Sequence, residues 1–167
     1  MSDISIYNVS VGVFTRGTVV LIGLLSKATQ HSGADSLPSA TLIEDMKPLS
    51  FHVQSVWNTT NLSLKRFGID SLETWEDEEP VTMAQLVERA EKLKAFLDGI
   101  KPAELEGKDK MEMKVMGEMG TGKQFILSLG MPNFFFHLQT VYSILRMKGV
   151  PLGKVDYLGP WNDTWEN

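Results

Sequence analysis

Four long stretches of this sequence carry apolar residues at helical spacing, each closed by glycine or proline, and this pattern limits its fold more than any other feature. An apolar residue every three or four positions draws a stripe along one face of an α-helix, and several such stripes must be buried against one another. The first stretch runs roughly from Ile6 to Gln30, with Val9, Val13, Val20, Leu24 and Ala28 on one face. Gly33 is placed to cap it in the left-handed conformation, and Ala34, Asp35, Ser36 and Pro38 read as a loop. The second runs from about Ser39 to Phe67, where Leu42, Met46, Leu49, Val53, Val56, Thr60 and Leu64 approximate the heptad seam of a bundle. Pro48 falls inside it, which predicts a kink or two abutting helices, and Gly68 stops it.

The acidic run Glu73–Glu79 is a loop carrying Trp75, closed by Pro80. Thr82 and Gln85 then have the spacing of a capping box, in which each satisfies an orphan backbone donor of the helix start. Leu86, Ala90, Leu93, Leu97 and Ile100 form the buried stripe of this third helix, and Pro102 lies just past its end. From Lys108 to Gly122 the period changes. Met111, Met113 and Val115 alternate with Glu112 and Lys114, as in a half-buried strand, and Gly117, Gly120 and Gly122 predict a hairpin turn. A second capping box, Thr121 with Gln124, starts the fourth helix near Gly122; it runs to Lys148 with a kink at Pro132, and Gly149 ends it. The order predicts an all-α fold: an up-and-down four-helix bundle with a small β-hairpin between helices three and four. One domain spans 1–160, and 161–167 is an acidic tail carrying Trp161 and Trp165, which either docks back or stays free.

At 167 residues and 43% hydrophobic content the chain can bury one sizeable core. A net charge of −5 with scattered Lys and Arg argues against nucleic acid and against anionic membranes. The absence of cysteine excludes disulfides, thiolate metal sites and thiol catalysis. The N-terminus has neither the basic nor the apolar part of a secretory signal, and the apolar run Val19–Leu25 is too short to span a bilayer, so a cytoplasmic protein is expected.

One motif is a decoy. Gly117 to Lys123 matches part of a phosphate-binding loop, but Gln124 stands where a hydroxyl must hold magnesium, and no βα repeat surrounds it. The histidines are the side chains suited to proton transfer near neutral pH. His31 sits at the end of the first helix, where a cation favours the helix dipole. His52 shares a helical face with Ser55 and Thr59, and His137 shares one with Asn133 and Val141. If their helices face each other, the two polar strips line one pocket. A zinc-like site needs three protein ligands, and the position that would supply a second one on helix four is Val141. Two histidines with a remote carboxylate, Asp45 or Glu44, remain as the metal alternative, and buried structural histidines as the bland one. Phe134, Phe135 and Phe136 are about 100° apart on a helix, so they divide between core and another surface.

The residues Pro132-Asn-Phe-Phe-Phe-His137, Tyr142, Leu145-Arg146, Gly149, Leu152-Gly-Lys154 and Asp156-Tyr-Leu-Gly159 resemble an uncharacterised family of small bacterial and fungal proteins. That family is grouped, as a domain of unknown function, with the DinB/YfiT-like four-helix bundles. Tyr7, Phe14, Asp45-Met46, Pro48-Leu49, Glu76-Asp-Glu78 and Phe96-Leu97 extend the resemblance over nearly all of Ile4 to Gly159. It implies a DinB-like bundle and, frequently, a homodimer. DinB-like proteins are often metalloenzymes with a histidine triad, some acting as metal-dependent thiol transferases. The matching positions here are His52 and His137, while the third falls on Val141, a departure that puts such chemistry in doubt.

The reading that follows is a small-molecule pocket lined by helices two and four, with His137 and His52 as acid–base groups. Asn133 and Ser55 are its polar partners, and Trp57, Phe134 and Tyr142 its walls. Metal-free isomerase, cyclase or lyase chemistry is expected, with no cofactor. The alternatives are a non-catalytic dimeric binding protein and a divalent-metal enzyme with an incomplete triad.

Overall fold

The computed structural model describes residues 4–70, 72–75 and 81–162. Its first helical stretch is divided. Helix α1 (Ile6–Val9) gives way at Ser10, whose hydroxyl donates to the Ile6 carbonyl at 2.6 Å, to α2 (Val11–Thr29). Ile6–Thr29 is long and apolar enough to cross a membrane by composition alone. Much of its apolar surface is core: Val11, Phe14, Val20, Leu24 and Leu25 are fully buried, while Val19 is exposed.

Proline 48 starts a helix here, where the sequence predicted a kink or a junction of two helices. Residues 37–48 form turns, tied back by the Leu49 amide on the Ala40 carbonyl (2.9 Å) and the Ser50 amide on the Pro38 carbonyl (3.0 Å). Helix α3 then runs Leu49–Arg66. A proline ring carries no amide proton and clashes with the preceding turn, so a helix start accommodates it at no loss. Both capping boxes form: Thr82 with Gln85 opens α4 (Met83–Gly99), and Thr121 with Gln124 opens α5 (Gly122–Phe125). Strands β1 (Glu112–Val115) and β2 (Glu118–Thr121) pair antiparallel, Val115 opposite Glu118. Met116 and Gly117, at φ 50° and 97°, make the two-residue turn whose positive φ suits the twist of a hairpin. The phosphate-loop lookalike is therefore this turn, β2 and the start of α5.

The long fourth helix is three pieces. After α5 comes a π-helical turn, Ile126–Gly130, and then α6 (Met131–Met147), with Pro132 in its first turn. The wider turn takes up the irregularity that a proline would otherwise force as a kink. Helices α2 and α4, α4 and α3, α3 and α6, and α6 and α2 are in contact, which closes the four-helix bundle. A further helix, α7 (Lys154–Asn162), lies against α2 in a stretch where the sequence analysis placed no helix; Gly153, Gly159 and Pro160 hide it. Lys27 donates to Asp156 at 2.5 Å, and Trp161 packs on Phe135 at 5.6 Å between ring centroids. Trp165, the 76–80 part of the acidic run and the end of the tail lie outside the described residues.

Candidate functional site

His52 on α3 and His137 on α6 meet across the helix interface with their Nδ1 atoms 2.9 Å apart. At that separation two neutral imidazoles share a hydrogen bond, one Nδ1–H donating to the other's lone pair. Phe51 and Phe136 stand edge-on to the pair. Their ring centroids lie 5.7 and 6.3 Å from His52, and 6.0 and 5.2 Å from His137. His52 is 3% exposed. Its Nε2 has no hydrogen-bond partner among the described residues. Burial lowers its pKa, while the Lys47 carbonyl works weakly the other way without completing a well-formed hydrogen bond. Burial, with the adjacent His52 adding to it, pushes His137 down to about 4. The pair is thus neutral near neutral pH, and a proton arriving on it is shared by two rings.

His137 also lines a cleft of about 350 Å³ between α3 and the α5–α6 stretch. Ser55, Asn58, Thr59 and Arg66 contribute from α3, and Leu129, Gly130 and Asn133 from the other side. The Asn133 Nδ2 donates to Thr59 Oγ1 at 2.6 Å, bridging the two walls. The π-helical turn supplies Leu129 and Gly130, so the irregular segment forms part of the cleft wall.

Of the residues anticipated from the sequence, His52 meets His137, and Ser55 and Asn133 line the adjoining cleft. The proposed walls lie elsewhere. Trp57 and Tyr142 each sit five residues from the histidine of their helix, about 140° around it. Trp57 faces the 72–75 segment, where its Nε1 donates to the Glu73 carbonyl at 3.1 Å and its ring packs on Trp75. Tyr142 packs on Tyr157 of α7. Phe134 is fully buried against Phe14, ring centroids 5.0 Å apart. The walls that sequence reasoning missed are Phe51 and Phe136, each adjacent in sequence to one histidine. Arg66 was missed too, although Ser55, Thr59, Leu62 and Arg66 continue one stripe at helical spacing.

Among the described residues the donor set is two imidazole nitrogens, one fewer than the three protein ligands of a zinc-like site. Two nitrogens of a tetrahedral zinc site, about 2.0–2.1 Å from the ion, stand roughly 3.3 Å apart, and three protein ligands are needed. Here the nitrogens are at hydrogen-bond separation and the third triad position is the fully buried Val141. Among the described residues no group of three His, Cys, Asp or Glu side chains converges.

Comparison with known proteins agrees with the architecture. The profile of the family described as "Domain of unknown function (DUF1993)" matches residues 6–158. The crystal structure of a DinB family member protein from Shewanella denitrificans superposes with a TM-score of 0.81 at 27% sequence identity. The match covers 92% of this chain and 91% of that one. No curated protein matches the chain.

Proposed function

Because this chain belongs to the family described as Domain of unknown function (DUF1993), a description that carries no reaction, we propose from its geometry that it binds a small organic molecule in the α3–α6 cleft and moves a proton on it with His137. The 2.9 Å contact between the Nδ1 atoms of His52 and His137, beside that cleft, carries this reading. For His137 to act as a base, His52 must carry its proton on Nε2, the nitrogen turned away from His137. His52 Nδ1 is then the acceptor, His137 Nδ1–H the donor, and His137 Nε2 carries a lone pair.

That lone pair takes a proton from an acidic C–H or O–H of the bound molecule, whose electron pair stays behind. The imidazolium so formed keeps donating through Nδ1–H to His52, now as a charge-assisted hydrogen bond, which is stronger than the neutral one. Returning the proton to a neighbouring atom isomerises the substrate; giving it to a leaving group completes an elimination. Such a positioned base is worth about 10² to 10⁴ in rate. Asn133, held through its amide by Thr59, leaves Oδ1 as an acceptor on the cleft wall.

Solvent deuterium reports this chemistry without a known substrate. The protein is incubated with pools of small ketones, hydroxy acids and unsaturated acids in deuterium oxide, and label uptake is read by mass spectrometry. Uptake catalysed by the wild type should fall by about 10² or more in His137→Ala. Uptake that persists in this variant, or pools in which nothing exchanges, would contradict the reading.

A second reading, a non-catalytic dimeric binding protein, draws on Phe136, which is 55% exposed beside the imidazole pair. In that case Phe136→Ser abolishes self-association in sedimentation while no pool exchanges.

A further inference from the structure

We propose that the cleft takes an elongated monocarboxylate with an apolar stem, its carboxylate on Arg66 and its reacting end at His137. The reacting end rests on the proton-transfer reading above; the carboxylate end does not. The contacts across the cleft fix its direction. His52 meets His137, Thr59 meets Asn133, and Arg66 lies over the Phe125 ring at 4.7 Å. Between them, a Cβ at Gly130 would come within 3.2 Å of Ser63 Oγ. The two walls therefore run antiparallel, with His137 at one end and Arg66 at the other. From Ser55 to Arg66 the rise of α3 gives a length of roughly 16 Å.

The ends and the middle differ in chemistry. Among the described residues Arg66 is the one Asp, Glu, Lys or Arg side chain lining the cleft, in a chain of net charge −5. Its guanidinium lies over Phe125 and is positioned by Nη1 donating to the Lys114 carbonyl at 2.7 Å. No carboxylate stands within ion-pair distance of it among the described residues. A guanidinium has five donors in a rigid fork, so one occupied N–H leaves others to grip a carboxylate. Leu62 and Leu129 line the middle, where an apolar stem is favoured. A single guanidinium among hydroxyls and amides matches one carboxylate better than a phosphate dianion, which the protein's negative charge repels.

Octanoate, octanamide and octylammonium share a stem and differ in charge, so titration calorimetry with the three tests the anchor. Octanoate should bind roughly tenfold tighter than octanamide, the worth of one charge-assisted hydrogen bond, and octylammonium weakest. Arg66→Gln should bring octanoate and octanamide together, and Arg66→Lys should restore part of the difference. Three probes of equal affinity, no octanoate binding, or a preference that survives Arg66→Gln would overturn the proposal. If Arg66→Gln fails to fold, the order of the probes on the wild type decides. Should this order hold while deuterium uptake is absent, the carboxylate anchor stands and the reacting end is refuted.

Discussion

At the scale of residues, the molecule places two imidazoles where neither gains by charging. His137 is held down at about 4, against about 6.5 for a free imidazole, by burial and by its neighbour. Between these values the unfolded chain binds more protons than the folded one, so folding stability rises with pH through that window. Stability from this group is fully present above about 6.5 and is lost as pH falls toward about 4. The loss is at most about 3–4 kcal/mol from His137, since a pKa unit corresponds to about 1.4 kcal/mol. Urea unfolding across the window should show this slope in the wild type and a much flatter one in His52→Leu/His137→Leu. Equal slopes would mean that the pair is not buried as neutral imidazoles. Both histidines were legible as a pair because each sits in a polar strip on an otherwise apolar helix. The misplaced walls show the limit of that reasoning: Phe134, three residues from His137, is taken by the core because Gly17 and Phe14 leave room for its ring.

At the scale of elements, α2 makes close approach the rule on one face and leaves the other open. A Cβ at Gly17 would stand 2.3 Å from Phe134 Cε1 and 2.6 Å from Cζ, whereas one at Gly23 meets nothing within 4 Å. Alanine at Gly23 should therefore stabilise by about 0.5–1 kcal/mol, the helix propensity difference. The same change at Gly17 should destabilise by about 1–3 kcal/mol, because Phe134 must leave its place. Thermal unfolding of the two variants should shift in opposite directions; shifts of the same sign would contradict the packing of α6 on α2. Helix starts were the readable part of these elements. Thr82 and Thr121 open their helices as their capping boxes predict, since the signal is chemically local. Pro48, Pro132 and Pro160 misled because a proline's effect depends on where in a helix it falls, and that is decided by packing. The first two sit at helix starts and the third inside α7.

At the scale of the whole molecule, the bundle follows from the apolar stripes, and its DinB-like architecture stands beside that of the Shewanella protein. The stripes do not say which helices become neighbours. That choice brings His52 to His137 and leaves a cleft running from His137 to Arg66, a residue with no mark in the sequence beyond its place on the Ser55 stripe. The proton-sharing pair is the point on which the functional account turns, and nitrogen-15 NMR of the histidine side chains reads it without a substrate. Long-range proton–nitrogen spectra near neutral pH should show His137 protonated at Nδ1 with a bare Nε2, and His52 protonated at Nε2. Lowering the pH should leave both rings neutral below 6.5 and then titrate them together, since the proton belongs to the pair. A His137 carrying its proton on Nε2, or titrating alone near 6.5 as a free imidazole does, would contradict the account.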